Sequence, residues 1–150
     1  MTKTEDFDLR DFMPYLLNQA AEAMSRDFEV IYRGRYGMLR TEWRVLFHLG
    51  RHGEMTAKQI CEQAVIHKTK VSRAVTALED KRFLKRETDE EDRRFEKLTL
   101  TKAGQTVFDD LAQAATRYDQ TMEDILGSDN MDTLKSMLCQ LISEKSIINK

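Results

Sequence analysis

Ten consecutive residues, HKTKVSRAVT from His67 to Thr76, hold His67, Lys68, Lys70 and Arg73, the hydroxyls of Thr69, Ser72 and Thr76, and no acid. Placed on a helix, Val71, Ala74, Val75 and Leu78 recur at i, i+3, i+4 and i+7 and form one apolar face, while Thr69, Ser72, Arg73 and Thr76 fall on the other. The polar side chains are short apart from Arg73, so such a helix can lie deep in a major groove and hydrogen-bond to base edges. His67, Lys68 and Lys70 at its N-terminal end add donors for phosphates and bases. An exposed helix face with no nucleic-acid role more often carries Glu–Lys pairs. The acid-free run therefore points to double-stranded DNA.

A second cluster lies in DEEDRRFEKLTLTKAG, residues 89 to 104. Arg93 and Arg94 sit at the tip of an acidic turn between two short alternating stretches. A hairpin after a recognition helix can act as a wing, and an arginine at its tip can enter the narrow, electronegative minor groove. Asp92 stands two residues before Arg94. It can brace that guanidinium, or pair with Arg73, and so fix the aim of a long flexible side chain. Glu90 and Glu91 are read as solvating the turn.

These clusters must be positioned by helices. The chain has 150 residues, one proline and six glycines, and the scarcity of breakers implies long helices with glycines at most joints. Helical periodicity predicts helices over Pro14–Arg33, Thr41–Leu49, Thr56–Ala64 and Lys68–Lys81. Thr56 and Gln59 read as a capping box. Strands are expected at Phe83–Glu87 and Phe95–Leu100. A long helix then starts at a Thr101 cap, and a last one at a Ser128 or Asp129 cap after Gly127. The fold class is mainly α (α+β): a helix–turn–helix with a two-stranded wing. The outer helices carry apolar stripes, Leu16–Ile31 and Val107–Ile142, wider than one lobe needs.

The net charge of −2 hides a basic middle: residues 31–86 hold thirteen basic and five acidic groups, a local +8. That asymmetry fits a local electrostatic footprint for nucleic acid. No apolar run approaches a membrane span, and the acidic N-terminus lacks the apolar core of a signal peptide. Cys61 and Cys139 lack metal-ligand spacing, so a reducing, cytoplasmic setting with two free thiols is expected. The three histidines and many acids form no metal or triad pattern, and no phosphate-binding glycine loop is present. Neither an enzyme nor a cofactor is expected.

The residues TEWRVLFHLGRHGEMTAKQI, HKTKVSRAVTALED and DEEDRRFEKLTLTKAG, spanning Thr41 to Gly104, resemble the multiple antibiotic resistance regulator (MarR) family of winged helix-turn-helix transcription factors. The Asp92–Arg94 pair followed by LTLTKAG is the most specific element. The resemblance implies a homodimer: an N-terminal dimerisation helix over 1–36, a DNA-binding lobe over 37–100 and C-terminal dimerisation helices over 101–150. It implies recognition helices in successive major grooves of an operator, with wings in flanking minor grooves. It implies DNA contacts from His67, Lys68, Thr69, Lys70, Ser72, Arg73, Thr76, Asp92, Arg93 and Arg94. Many family members respond to small aromatic, often phenolic, acids in a cleft between dimer helices and DNA-binding lobe. Arg40, Trp43, Arg44 and His48 are the candidates to line it here, arginine for a carboxylate and tryptophan for a ring. The expected function is a repressor released by such an acid. Two readings stay open beside it: a cysteine-based redox-responsive regulator, and a winged-helix protein-interaction module without DNA binding. One departure is visible. The glycine the family usually places after the recognition helix, where a left-handed residue helps to end it, is Arg82 here.

Overall fold

A computed structural model describes residues 6–144. A short 3-10 turn, Leu9–Asp11, precedes α1 (Met13–Tyr36) and α2 (Arg40–His52). Then follow β1 (Met55–Thr56), α3 (Ala57–Ala64), α4 (Lys68–Asp80), β2 (Leu84–Thr88), β3 (Glu96–Leu100), α5 (Lys102–Leu126) and α6 (Ser128–Ser143). The chain is a winged helix-turn-helix with helical flanks. It divides into two compact units between Leu111 and Ala112. The first turns of α5 belong to the first unit, where Val107 and Leu111 are buried.

Local chemistry explains most of the joints. Pro14 sits in the first turn of α1, where its missing N–H costs nothing. Gly37, with φ 63°, ends that helix by donating its N–H to Arg33 O. At the start of α3, Thr56 Oγ1 accepts from Gln59 N (3.2 Å) and Gln59 Oε1 accepts from Thr56 N (2.9 Å), the reciprocal cap anticipated from sequence. Thr101 opens α5 by accepting from Gly104 N (3.0 Å), and its hydroxyl donates to Arg82 O (2.7 Å). Gly104 has no freedom to be anything larger, because a Cβ there would stand 1.9 Å from Phe83 O.

In the first unit the core of the lobe gathers Val45, Leu46 and Leu49 of α2, Ile60 of α3, Val71, Val75 and Leu78 of α4, and Leu84 and Leu98 of the sheet. Each such aliphatic side chain, fully buried, contributes about 2 kcal/mol of hydrophobic stabilisation. The sheet is antiparallel in the order β1-β3-β2. Leu84 pairs with Leu100 and Thr88 with Glu96, while Met55 pairs with Leu98. In the second unit Ala114 and Met131 are buried, and Lys135 Nζ reaches Asp119 Oδ2 at 2.7 Å.

Several details differ from the sequence reading. β1 was not anticipated: two residues carry no period, and the strand exists only because β3 offers an edge. α1 and α2 each run three residues further than expected, since Gly34 and Gly50 sit inside them and do not end them. The wing strands begin one residue later on each side, and Arg93 and Arg94 lie in the turn between them. α6 starts at Ser128 with Gly127 as its cap, and no side chain performs that role. Much of each outer apolar stripe is uncovered in the single chain: Leu16, Leu17, Ile125 and Ile142 are exposed.

Candidate nucleic-acid interface and effector cavity

All seven candidates on α4 and at its cap are exposed, and Val71, Ala74, Val75 and Leu78 behind them are buried. His67 has two assignments. Its Nδ1 accepts from Thr69 N (3.2 Å), capping the helix. That bond leaves Nε2 as the ring nitrogen available to a further partner. Lys68 and Lys70 stand in the first turn, with no acid there. Positive charge at a helix N-terminus opposes the helix dipole by about 0.3–1 kcal/mol per residue. The placement is unfavourable for the isolated helix and favourable only against an anion.

The wing tip is organised around Asp92. Its Oδ1 accepts from Arg94 N (3.1 Å) and Arg94 Nε (2.9 Å), and its Oδ2 from Arg94 Nη2 (2.8 Å). The pairing is bidentate and goes to Arg94, not to Arg73. Arg94's guanidinium beside it holds the Asp92 carboxyl below the usual carboxylate range, and Asp92 in turn raises Arg94. A guanidinium has five N–H donors; three remain on Arg94 for a further acceptor. Its carbon also lies 6.0 Å from the centre of the Phe95 ring. Asp89 folds the turn by accepting from Glu91 N (2.9 Å).

Arg86 was missed from sequence. From β2 it donates to Thr76 Oγ1 (2.9 Å), lies 3.3 Å from Glu79 Oε1, and reaches Glu96 Oε2 at 3.3 Å. It joins α4 to both wing strands, and it engages one of the hydroxyls assigned to DNA. The period-two pattern of β2 held the signal, because Arg86 shares the face of buried Leu84. Arg82 keeps the left-handed conformation, φ 63°, that a glycine would adopt freely.

A cavity of about 520 Å³ opens between α1 and α2. Arg40, Trp43 and Arg44 line it from α2; Glu22, Phe28 and Tyr32 line it from α1. Its volume is within the range of small-molecule sites. Trp43 stacks on Tyr32 (6.0 Å, 18° between planes) and tilts against Phe28 (5.4 Å). Arg40 is held by Glu22, Nη1 to Oε1 at 2.7 Å and Nη2 to Oε2 at 3.4 Å. That pairing lowers the Glu22 pKa and raises that of Arg40. Arg44 donates from Nη2 to Ala64 O at 2.6 Å. The Tyr32 residue is only 1% exposed, and its hydroxyl makes no hydrogen bond of good geometry among the described residues, although Arg40 acts on it. Burial and the Glu29 charge raise its pKa, against the pull of Arg40. His48 is outside the lining; it stacks on His52 at 5.9 Å. Burial first, then the charges of His52, Arg44 and Arg51, lower its pKa. The α1 residues went unnoticed in sequence, although Phe28 and Tyr32 are one helical turn apart. Cys61 is half-buried and Cys139 exposed, both as free thiols.

A helix-turn-helix whose second helix carries no acid from Lys68 to Thr76, followed by a hairpin with a braced arginine, defines a winged helix-turn-helix fold. Residues 36–94 match the sequence profile of the MarR family. The HTH-type transcriptional regulator FarR of Neisseria gonorrhoeae is 25% identical over 133 residues, covering 89% of this chain and 90% of that protein. The crystal structure of transcriptional regulator PA4135 is 26% identical with a TM-score of 0.81, covering 91% of this chain and all of that one (100%). NadR in complex with 4-hydroxyphenylacetate has a TM-score of 0.75 at 23% identity, covering 94% and 97%. The chain is thus similar to MarR-family transcriptional regulators over its DNA-binding lobe, and to FarR and PA4135 over about nine-tenths of its length.

Proposed function

We propose that the chain is a cytoplasmic, homodimeric repressor that leaves a pseudo-palindromic operator when a small aromatic or phenolic carboxylate enters the α1–α2 cavity. The observation that carries the DNA half is the exposed face of α4 from Lys68 to Thr76, which carries no acid and sets two lysines against the helix dipole. Thr69, Ser72, Arg73 and Thr76 face bases, Lys68, Lys70 and His67 hold phosphates, and Arg94 enters the minor groove with Arg93 on the backbone. The uncovered apolar residues of the outer helices suit a second copy of the chain.

The effector half rests on the lining. Trp43, Phe28 and Tyr32 offer aromatic surfaces, and the arginines offer charge for a carboxylate. That NadR was crystallised with 4-hydroxyphenylacetate is a property of NadR, and it makes that compound the first probe. Selection from a random duplex pool tests the DNA reading. Recovered sites should hold two related half-sites about one helical turn apart. Unrelated sequences, or none, would count against it. A thermal-shift screen of aromatic acids tests the effector, since a ligand selective for the folded state raises the melting temperature.

A further inference from the structure

Arg44 belongs to two places at once. It lines the cavity, and its Nη2 donates to Ala64 O at 2.6 Å. Ala64 is the last residue of α3, so its carbonyl is one of those a helix end leaves unsatisfied. The next residue, Val65, has φ 53° and ψ 52°. A left-handed conformation is an outlier for a β-branched side chain, and it persists only where the surroundings hold it. Val65 itself brings little packing, being 87% exposed. The turn is held instead by its backbone: the N–H groups of Val65 and Ile66 both donate to Cys61 O. Arg44 adds a charge-assisted bond on the adjoining carbonyl. Two residues beyond Val65, His67 caps the recognition helix.

The two arginines of the cavity are not equivalent. Arg40 is already engaged by both oxygens of Glu22, whereas Arg44 spends one donor on a neutral carbonyl. An incoming carboxylate gains more from Arg44 than from displacing Glu22. We infer that Arg44 is a positioning residue for the recognition helix: it braces the strained Val65 turn, and an anion in the cavity draws it off that turn. The inference rests on the cavity being the effector site. Loss of the brace lets the turn relax from its left-handed conformation, and with it the N-terminal entry of α4. The ligand thus reaches the DNA-reading face through one side chain and one turn.

Amide hydrogen exchange on the full chain tests the brace without any ligand. Arg44→Gln should speed exchange at Ile66 by about tenfold, a small change in local opening. It should leave Val75 and Leu78, deeper in α4 than its entry turn, near their wild-type rates. Val65→Gly removes the strain, so the double variant Arg44→Gln/Val65→Gly should return Ile66 close to wild type. Unchanged exchange at Ile66 in Arg44→Gln would overturn the inference. So would faster exchange throughout the lobe, or a double variant no slower than Arg44→Gln alone. The second arm adds 4-hydroxyphenylacetate, with binding followed by calorimetry. Bound compound should speed Ile66 in wild type and add nothing in Arg44→Gln; binding with Ile66 unmoved would overturn the relay. Failure of the compound to bind counts against the proposed effector class, and the ligand-free variants still decide the brace.

Discussion

Replacing Gly104 with alanine sets two physical effects against each other. Helix propensity alone favours the change by about 1 kcal/mol, because Gly104 lies within α5. The structure opposes it. The new methyl would stand 1.9 Å from Phe83 O and 2.8 Å from Phe83 C, both backbone atoms that no rotamer change can move. Restoring an ordinary contact requires the start of the wing and the first turn of α5 to part by roughly 1.5 Å, an overpacking cost of about 1–3 kcal/mol. Phe83 O also accepts from Thr101 N at 3.0 Å, and Gly104 N donates to Thr101 Oγ1 at 3.0 Å. Loosening one of these bonds adds about 1 kcal/mol. After the propensity gain, the net destabilisation is about 1–3 kcal/mol, which lowers the melting temperature by roughly 2–12 °C for a chain of this size. The assay is thermal unfolding of both proteins at one concentration, since a dimer's melting temperature depends on concentration. Equal or higher stability of the alanine variant would refute the reasoning. The wing would then not be seated on α5 through this contact.

Arg82→Gly should stabilise the chain by about 1 kcal/mol, because φ 63° is strained for arginine and free for glycine; a lower melting temperature would show that the Arg82 side chain supports the wing. Asp92→Ala should weaken operator binding, most on A·T-rich flanks, although it removes a negative charge near DNA; tighter binding at physiological salt would reduce Asp92 to a turn residue. Sedimentation equilibrium should give twice the chain mass, and deleting residues 128–150 should yield aggregate; a soluble, folded monomer after that deletion would refute dimerisation through the outer helices.

Much of this architecture was legible because its signals were local. The i, i+3, i+4, i+7 pattern of Val71, Ala74, Val75 and Leu78 separated a packed face from a polar one, and the Thr56–Gln59 spacing marked a cap. Asp92 and Arg94 are two residues apart, so their pairing could be read from chain order. The features that escaped depend on partners distant in sequence. Arg86 meets Thr76 and Glu96, each ten residues away, across elements whose packing angle no periodicity states. β1 follows from the register of β3. Val65 carries no turn signal, since β-branched residues are the least expected in a left-handed conformation. The cavity was half legible: α2 supplied Arg40, Trp43 and Arg44 in a short polar–aromatic run. On α1, Phe28 had been assigned to an apolar stripe and Glu22 and Tyr32 had no assigned role, and His48 points elsewhere on α2.

The most direct test of the DNA-reading face is a salt titration of binding by wild type, Arg73→Ala and Lys70→Ala, on a selected operator and on random duplex. Arg73→Ala should cost about 1–3 kcal/mol on the operator and little on random DNA, relaxing preference at one position per half-site. Lys70→Ala should weaken both duplexes alike and flatten the dependence of log affinity on log salt by about one. If Arg73→Ala loses equally on both duplexes, or neither variant changes binding, the exposed face of α4 does not read DNA as described.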